Sequence, residues 1–199
     1  THSPTVVKDL VIVGTGGGDS PIRGYIAAYH AKTGKEAWRF YTIPGPGEPG
    51  NETWSGDSWK TGGVGVWNAG AYDPELNLVY FGTGNPQPDW DARSRLGDNL
   101  YSDSVVALDA DTGTLKWYYQ HLPGDDWDQD YTNERTLVRT AVRPDPKYVK
   151  WINPDIKPGE ERDLSVMVGE GGGIFAIDRN NGQFLWANPF PFDGPNFLI

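Results

Sequence analysis

An all-β chain arranged as propeller blades is the fold this sequence predicts, and three observations predict it. The first is an internal repeat: AYHAKTGKEAW (28–38), ALDADTGTLKW (107–117) and AIDRNNGQFLW (176–186) each open on Ala, place Gly six residues on and Trp ten residues on. The second is composition: 26 Gly, 16 Pro, 9 Trp and 10 Tyr in 199 residues make a chain rich in turns and aromatics. The third is that no long stretch carries helical periodicity, which disfavours parallel βαβ folds. A strand, a tight turn with Gly at positive φ, and a return strand form the repeating unit. Its Trp can dock each unit onto the next, as in propeller blades.

Taken in order, strand-like runs fall at VVKDLVIVG (6–14), YIAAYH (25–30), EAWRFYTI (36–43), NLVYFG (77–82), SVVALDA (104–110), TLKWYYQ (114–120), LSVMVG (164–169), GIFAID (173–178) and FLWAN (184–188). Each is rich in β-branched or aromatic residues and bounded by Gly, Pro, Asn or Asp. Between them run long polar segments, roughly 44–62, 86–103, 121–136 and 143–163. Loops of that length in a compact unit are usually functional. The stretch 144–163, rich in Pro and charge, reads as a surface excursion. Repeat starts at 28, 107 and 176 are 79 and 69 residues apart, longer than a bare four-stranded blade. Three repeats do not close a ring, so residues 1–199 are expected to be a partial propeller, completed by further blades or by a homo-oligomer.

Composition narrows the function classes. A formal net charge of -10 argues against nucleic acid, whose phosphates need clustered Lys and Arg. There is no Cys, so thiolate metal sites and Cys nucleophiles are excluded, and the three His (His2, His30, His121) lack ligand spacing. No apolar run approaches the length of a membrane span. Neither a signal peptide nor a tail is visible, and the sequence reads as a segment of something longer.

Three stretches carry candidate chemistry. GTGGGDSPIRG (14–24) offers free backbone N–H groups beside Asp19; without GKS or GKT and without a following helix it is not a P-loop, and it is equally a plain hairpin loop. GGVGVWNAGAYDPELNLVYFGTGN (62–85) is a flexible glycine stretch presenting Trp67, followed by a strand and then Asn85. A flat ring and an oxygen donor suit a planar cofactor held on a metal ion; a core Trp and a turn Asn are the plain alternative. In PGDDWDQDYTNE (123–134), Asp125, Asp126, Asp128 and Asp130 fall within six residues without the EF-hand pattern. Crowded carboxylates repel unless a cation neutralises them. In an extended segment Asp128 and Asp130 would point to one side, toward one metal or with one as a base; a solvated acidic turn is the alternative. Hard oxygen donors favour calcium or a larger cation of that type.

In these segments, together with YDPELNLVYFGTGNPQP, GDNLYSDSVVALDADTGTLKWYYQ and WDQDYTNE, the sequence resembles the quinoprotein alcohol dehydrogenases, the family that includes methanol dehydrogenase. The resemblance covers essentially the whole chain. It implies an eight-bladed propeller with tryptophan-docking repeats, of which this chain would supply three to four blades. It implies pyrroloquinoline quinone (PQQ) held on calcium or a lanthanide ion. By position, Thr1 falls on a residue contacting a PQQ carboxylate, Gly17 and Gly18 on small residues beside the cofactor, and Trp67 on the ring that stacks against it. Asp19 and Asn85 fall on metal ligands, with Asp19 standing where the family has Glu. Asp128 falls on the proposed catalytic base at the metal, and Asp130 where lanthanide-using members carry an extra Asp. Gly16 and Gly65 stand where the family has Ser and Thr, and Gly171 where it has Lys or Arg. The implied reaction takes an alcohol to an aldehyde or ketone, with Asp128 removing the hydroxyl proton, hydride moving to the quinone C5, and electrons passing to a cytochrome c-type acceptor in the periplasm. Two other readings are a non-catalytic propeller scaffold of the same repeat type and a calcium-dependent carbohydrate binder.

Overall fold

The computed structural model describes residues 3–190, and the expected Thr1 contact lies outside them. Three antiparallel sheets follow one another along the chain. The first contains β1 (Thr5–Val7), β2 (Leu10–Gly14), β3 (Tyr25–His30) and β4 (Glu36–Tyr41) in that order. The second contains β5 (Ala71–Asp73), β6 (Leu78–Gly82), β7 (Ser104–Asp109) and β8 (Leu115–Gln120) in the same up-and-down order. β9 (Thr136–Ala141), β10 (Lys150–Ile152), β11 (Glu161–Gly169), β12 (Gly173–Asp178) and β13 (Phe184–Pro189) form the third, ordered β10-β13-β12-β11-β9. This is the all-β, blade-by-blade architecture the repeat predicts.

The middle blade shows why its strands read as continuous apolar runs. Every residue of β6 is buried. Val79 and Phe81 pack with Val106, Leu108, Ile12 and Ile26 toward the first blade. Leu78 and Tyr80 pack with Val105, Ala107, Trp117 and Ile177 toward the third. Alternate residues point to opposite faces, and a blade sandwiched between two others must be apolar on both.

The repeated residues make the joints between blades. Trp38 donates from Nε1 to the Ala110 carbonyl at 3.1 Å, and Trp117 from Nε1 to the Arg179 carbonyl at 3.2 Å. Each indole covers the turn glycine of the next repeat: a Cβ on Gly113 would lie 2.5 Å from Trp38 Cε3, and one on Gly182 2.7 Å from Trp117 Cε3. Gly34, Gly113 and Gly182 take φ of 67°, 70° and 78°, as the repeat requires. An ion pair from Arg179 Nε to Asp73 at 2.9 Å ties the same turn of the third blade to the second.

Several expectations are corrected. The single run 6–14 is two strands, because Lys8 (φ 55°) turns the chain into a hairpin. β5 and β9 lie outside the predicted runs; β9 (TLVRTA) is mostly exposed, and backbone pairing with β11 forms it rather than apolar alternation. The excursion 144–163 is not only loop: Lys150 and Ile152 pair with Ala187 and Trp186, so β10 covers the outer edge of the third blade.

Candidate functional site

The inter-strand loops converge because a strip of backbone, 62–67, is stitched between two of them. Val66 N donates to Thr15 O at 2.7 Å and Gly24 N to Gly63 O at 2.9 Å on one side. On the other, Gly84 N donates to Gly65 O at 2.9 Å and Val64 N to Asn85 O at 3.2 Å. The glycines allow this close approach. A Cβ on Gly24 would overlap the Val64 carbonyl, and one on Gly14 the Val66 carbonyl. The stretch before Trp67 is therefore pinned rather than flexible, which corrects the sequence reading. Glycines also bed the indole: Cβ atoms on Gly84, Gly65 and Gly18 would lie 2.5, 3.2 and 3.5 Å from Trp67 ring atoms.

Half-buried Trp67 faces a cleft of about 660 Å³ whose lining is Gly16, Gly17, Gly18, Asp19, Trp67, Asp128 and Asp130. Among the described residues, no cationic side chain is in that lining. Asn85, 1% exposed, sits behind the carboxylates and orients them. Its Nδ2 donates to Asp128 Oδ1 at 2.8 Å and to Asp89 Oδ1, and its backbone N donates to Asp130 Oδ1 at 3.2 Å. Its Oδ1 is buried and accepts no hydrogen bond. The structure thus brings Gly17, Gly18, Asp19, Trp67, Asp128 and Asp130 to one cleft, with Asn85 directly behind.

Asp128 and Asp130 do not reach the cleft as an extended segment. Asp128 has φ 61°, in the left-handed region that Asp tolerates. Asp125 makes this bend, accepting backbone N–H bonds from Trp127 and Gln129, both at 2.9 Å. Gly65 and Gly18 are in mutual contact, a Cβ on Gly65 lying 3.0 Å from Gly18 Cα, so little room exists for a larger residue at either. Gly171 lies at the β11–β12 turn, but the neighbour that touches the site is Glu170, whose N donates to Asp130 O at 3.2 Å.

The electrostatics are those of crowded like charges. Burial, then Asp89 and Asp19, raises the Asp128 carboxyl above its ordinary range. Burial does the same to Asp130, assisted by Glu170, Asp128 and Asp19 against the bond from Asn85 N, and pushes it up to about 7. Asp89 and Glu170 are the site residues that sequence reasoning missed. Asp89 had a signal, lying four residues past Asn85; Glu170 had none.

Among the described residues, no three His, Cys, Asp or Glu side chains are gathered closely enough to hold an ion by themselves. What the cleft does have is three carboxylates and an indole wall, with the buried, unpartnered amide oxygen of Asn85 in the layer behind them. These fit a hard cation beside a planar ring.

Tryptophan-docked antiparallel blades with an acidic cleft between their loops make this chain a β-propeller segment. The family described as "PQQ: Glucose/ethanol/alcohol dehydrogenase, beta-propeller domain" matches residues 1–187, and the chain belongs to that family. It is 43% identical to quinohemoprotein alcohol dehydrogenase ADH IIB of Pseudomonas putida, over 96% of this chain and 27% of that protein. It is 37% identical to subunit 1 of methanol dehydrogenase [cytochrome c] of Methylorubrum extorquens, over 94% of this chain and 30% of that one. Among solved structures, a europium-containing methanol dehydrogenase superposes with a TM-score of 0.80 at 36% identity, covering 94% of this chain and 33% of that chain. The chain therefore spans about a third or less of the length of these relatives. The expected family and fold class are borne out.

Proposed function

We propose that this segment carries the cofactor-facing part of a PQQ- and metal-dependent alcohol dehydrogenase, with Asp128 as general base. The observation that carries the proposal is the shared cleft of Asp19, Trp67, Asp128 and Asp130, ordered from behind by Asn85. Asp19, Asn85, Asp128 and Asp130 would hold calcium or a lanthanide ion; Trp67, Gly17 and Gly18 would hold the quinone, with Thr1 as a further contact from the family resemblance. When bound, the quinone supplies an acceptor for two electrons and the ion a Lewis acid.

The chain's own residues supply binding and proton handling. Trp67, bedded on three glycine backbones, presents a rigid face on which a planar ring stacks. Asn85 holds Asp128 by its Oδ1, leaving the other carboxylate oxygen to accept the hydroxyl proton of an alcohol. The product is an aldehyde or ketone, and a cytochrome c-type protein in the periplasm is the electron acceptor this reading expects. Among the described residues no helix is long and apolar enough to cross a membrane.

The test is reconstitution of the whole protein with PQQ and either calcium or lanthanum. The expected result is a bound-quinone absorbance spectrum and alcohol-dependent dye reduction. Asp128→Asn is expected to keep the spectrum and abolish turnover. Retained turnover would remove Asp128 as the base, and failure to bind PQQ with either ion would overturn the proposal.

A further inference from the structure

We infer that Arg95 is a positioning residue: its guanidinium locks the loop carrying Asn85 and Asp89 to the loop carrying Asp128 and Asp130. The inference deepens the function proposed above and rests on that reading for its chemistry, but its geometry stands independently.

Arg95 is 0% exposed, although it lies in an otherwise polar loop. Such burial of a guanidinium demands that its donors be met. Nε donates to the Pro88 carbonyl at 3.1 Å, and Nη2 to the Asp89 carbonyl at 3.2 Å, both on the Asn85 loop. Nη2 also donates to the Asp125 carbonyl on the second loop. Nη1 donates to Asn99 Oδ1 at 2.9 Å, and Asn99 is itself fully buried. Asn99 Nδ2 returns a bond to the Arg95 carbonyl at 2.8 Å, fixing the side chain that fixes the fork. Gly124 N donates to Asp98 O at 3.1 Å and adds a second tie between the same loops.

Two of the residues that Arg95 grips, Asp89 and Asp125, lead directly to the cleft. Asp89 shares the Asn85 amide with Asp128. Asp125, whose carbonyl Arg95 grips, uses its carboxylate to fold residues 127 and 129 into the bend that presents Asp128 and Asp130. One planar fork thus spans both halves of the carboxylate set. Lysine cannot replace it, because a single ammonium cannot reach acceptors spread over a guanidinium's breadth. Burial works against the Arg95 charge, and the carboxylates of Asp125, Asp103, Asp126 and Asp89 favour it.

The experiment compares the whole protein with its Arg95→Lys and Arg95→Gln variants, by amide hydrogen exchange and by titration with Tb³⁺ as a luminescent probe ion. Both variants are expected to lose protection at the amides of Asn85, Trp127 and Gln129 while Val105–Leu108 in β7 stay protected. Tb³⁺ affinity is expected to fall about 10–100-fold in both, the range for groups that orient metal ligands. In the unsubstituted protein, the Trp127, Gln129 and Asn85 amides should open together as one unit, a measurement that needs no variant. Independent opening, unchanged loop protection, full rescue by Lys, or equal loss of protection in β7 would each overturn the clamp. Unsubstituted protein that binds no Tb³⁺ but shows the expected exchange pattern would sink the metal-site reading and leave the clamp standing.

Discussion

Replacing Gly113 by Ala tests the joint between the first two blades. Two costs are built into the position. Gly113 has φ 70°, and an L-residue there pays roughly 1–2 kcal/mol. The new Cβ would lie 2.5 Å from Trp38 Cε3 and 2.6 Å from Cδ2, about 1 Å inside ordinary carbon contact. Overpacking of that kind costs about 1–3 kcal/mol. Moving the indole away also strains the Trp38 Nε1 bond to Ala110, worth about 1 kcal/mol. The total is about 2–6 kcal/mol, the upper end if the hydrogen bond is lost outright, against roughly 1–2 if only the backbone matters. Urea unfolding should be followed in the natural background and in a Trp38→Leu background, where the clash disappears. The cost of Gly113→Ala is expected to fall by about 1–3 kcal/mol in the second background, the coupling expected of groups in contact. Equal cost in both would refute the docking argument. The same cycle with Gly182→Ala and Trp117 should behave alike, since the contact there is 2.7 Å.

Asp130→Ser is expected to shift ion preference from lanthanum toward calcium, because removing a carboxylate favours the lower charge; reconstitution with each ion checks this, and unchanged preference counts against the lanthanide reading. Trp67→Ala should weaken PQQ binding about 2–10-fold, equivalent to the roughly 0.5–1.5 kcal/mol of an aromatic stack, measured by quinone titration. His121 makes stability acid-sensitive. It is 8% exposed, stacked 4.5 Å from Tyr131 and edge-on to Phe175 and Tyr119, with neither ring nitrogen hydrogen-bonded. Burial, then Arg135, depresses its affinity for protons well below the ordinary value of 6.5. The unfolded chain therefore takes up a proton below pH 6.5 that the folded chain refuses. Stability is full above that pH and falls below it by up to about 1.4 kcal/mol per pH unit. His121→Phe should flatten that slope in urea titrations between pH 7 and 5; an unchanged slope would show that other groups set it.

Much of this was legible from residue order. The Ala–Gly–Trp spacing required a strand, a positive-φ turn and a docking indole; all three glycines take positive φ, and Trp38 and Trp117 dock on the turn of the next repeat. β3 and β12 coincide with the runs that β-branched and aromatic residues mark. By contrast β9 and β10 carry no periodic apolar signal, and only pairing with β11 and β13 makes them strands. In the site, Trp67, Asn85 and the Asp pair stood out by type and setting. Glu170 did not, because its approach to Asp130 depends on where the tip of another blade falls.

Sequence by itself determined the blade unit, the acidic and Cys-free chemistry available, and the membership of a quinoprotein family that its motifs announce. Tertiary structure decided that pinned glycine backbone, rather than slack, sets the indole in place, that Asp128 arrives through a left-handed bend held by Asp125, and that buried Arg95 ties the two acidic loops. The reason is physical: periodicity and turn chemistry act between neighbours along the chain and are written in it. The close backbone approaches at Gly14 and Gly24, the seating of the Trp67 indole on Gly84, and the sharing of Asn85 between Asp89 and Asp128, exist only once separate segments are packed together.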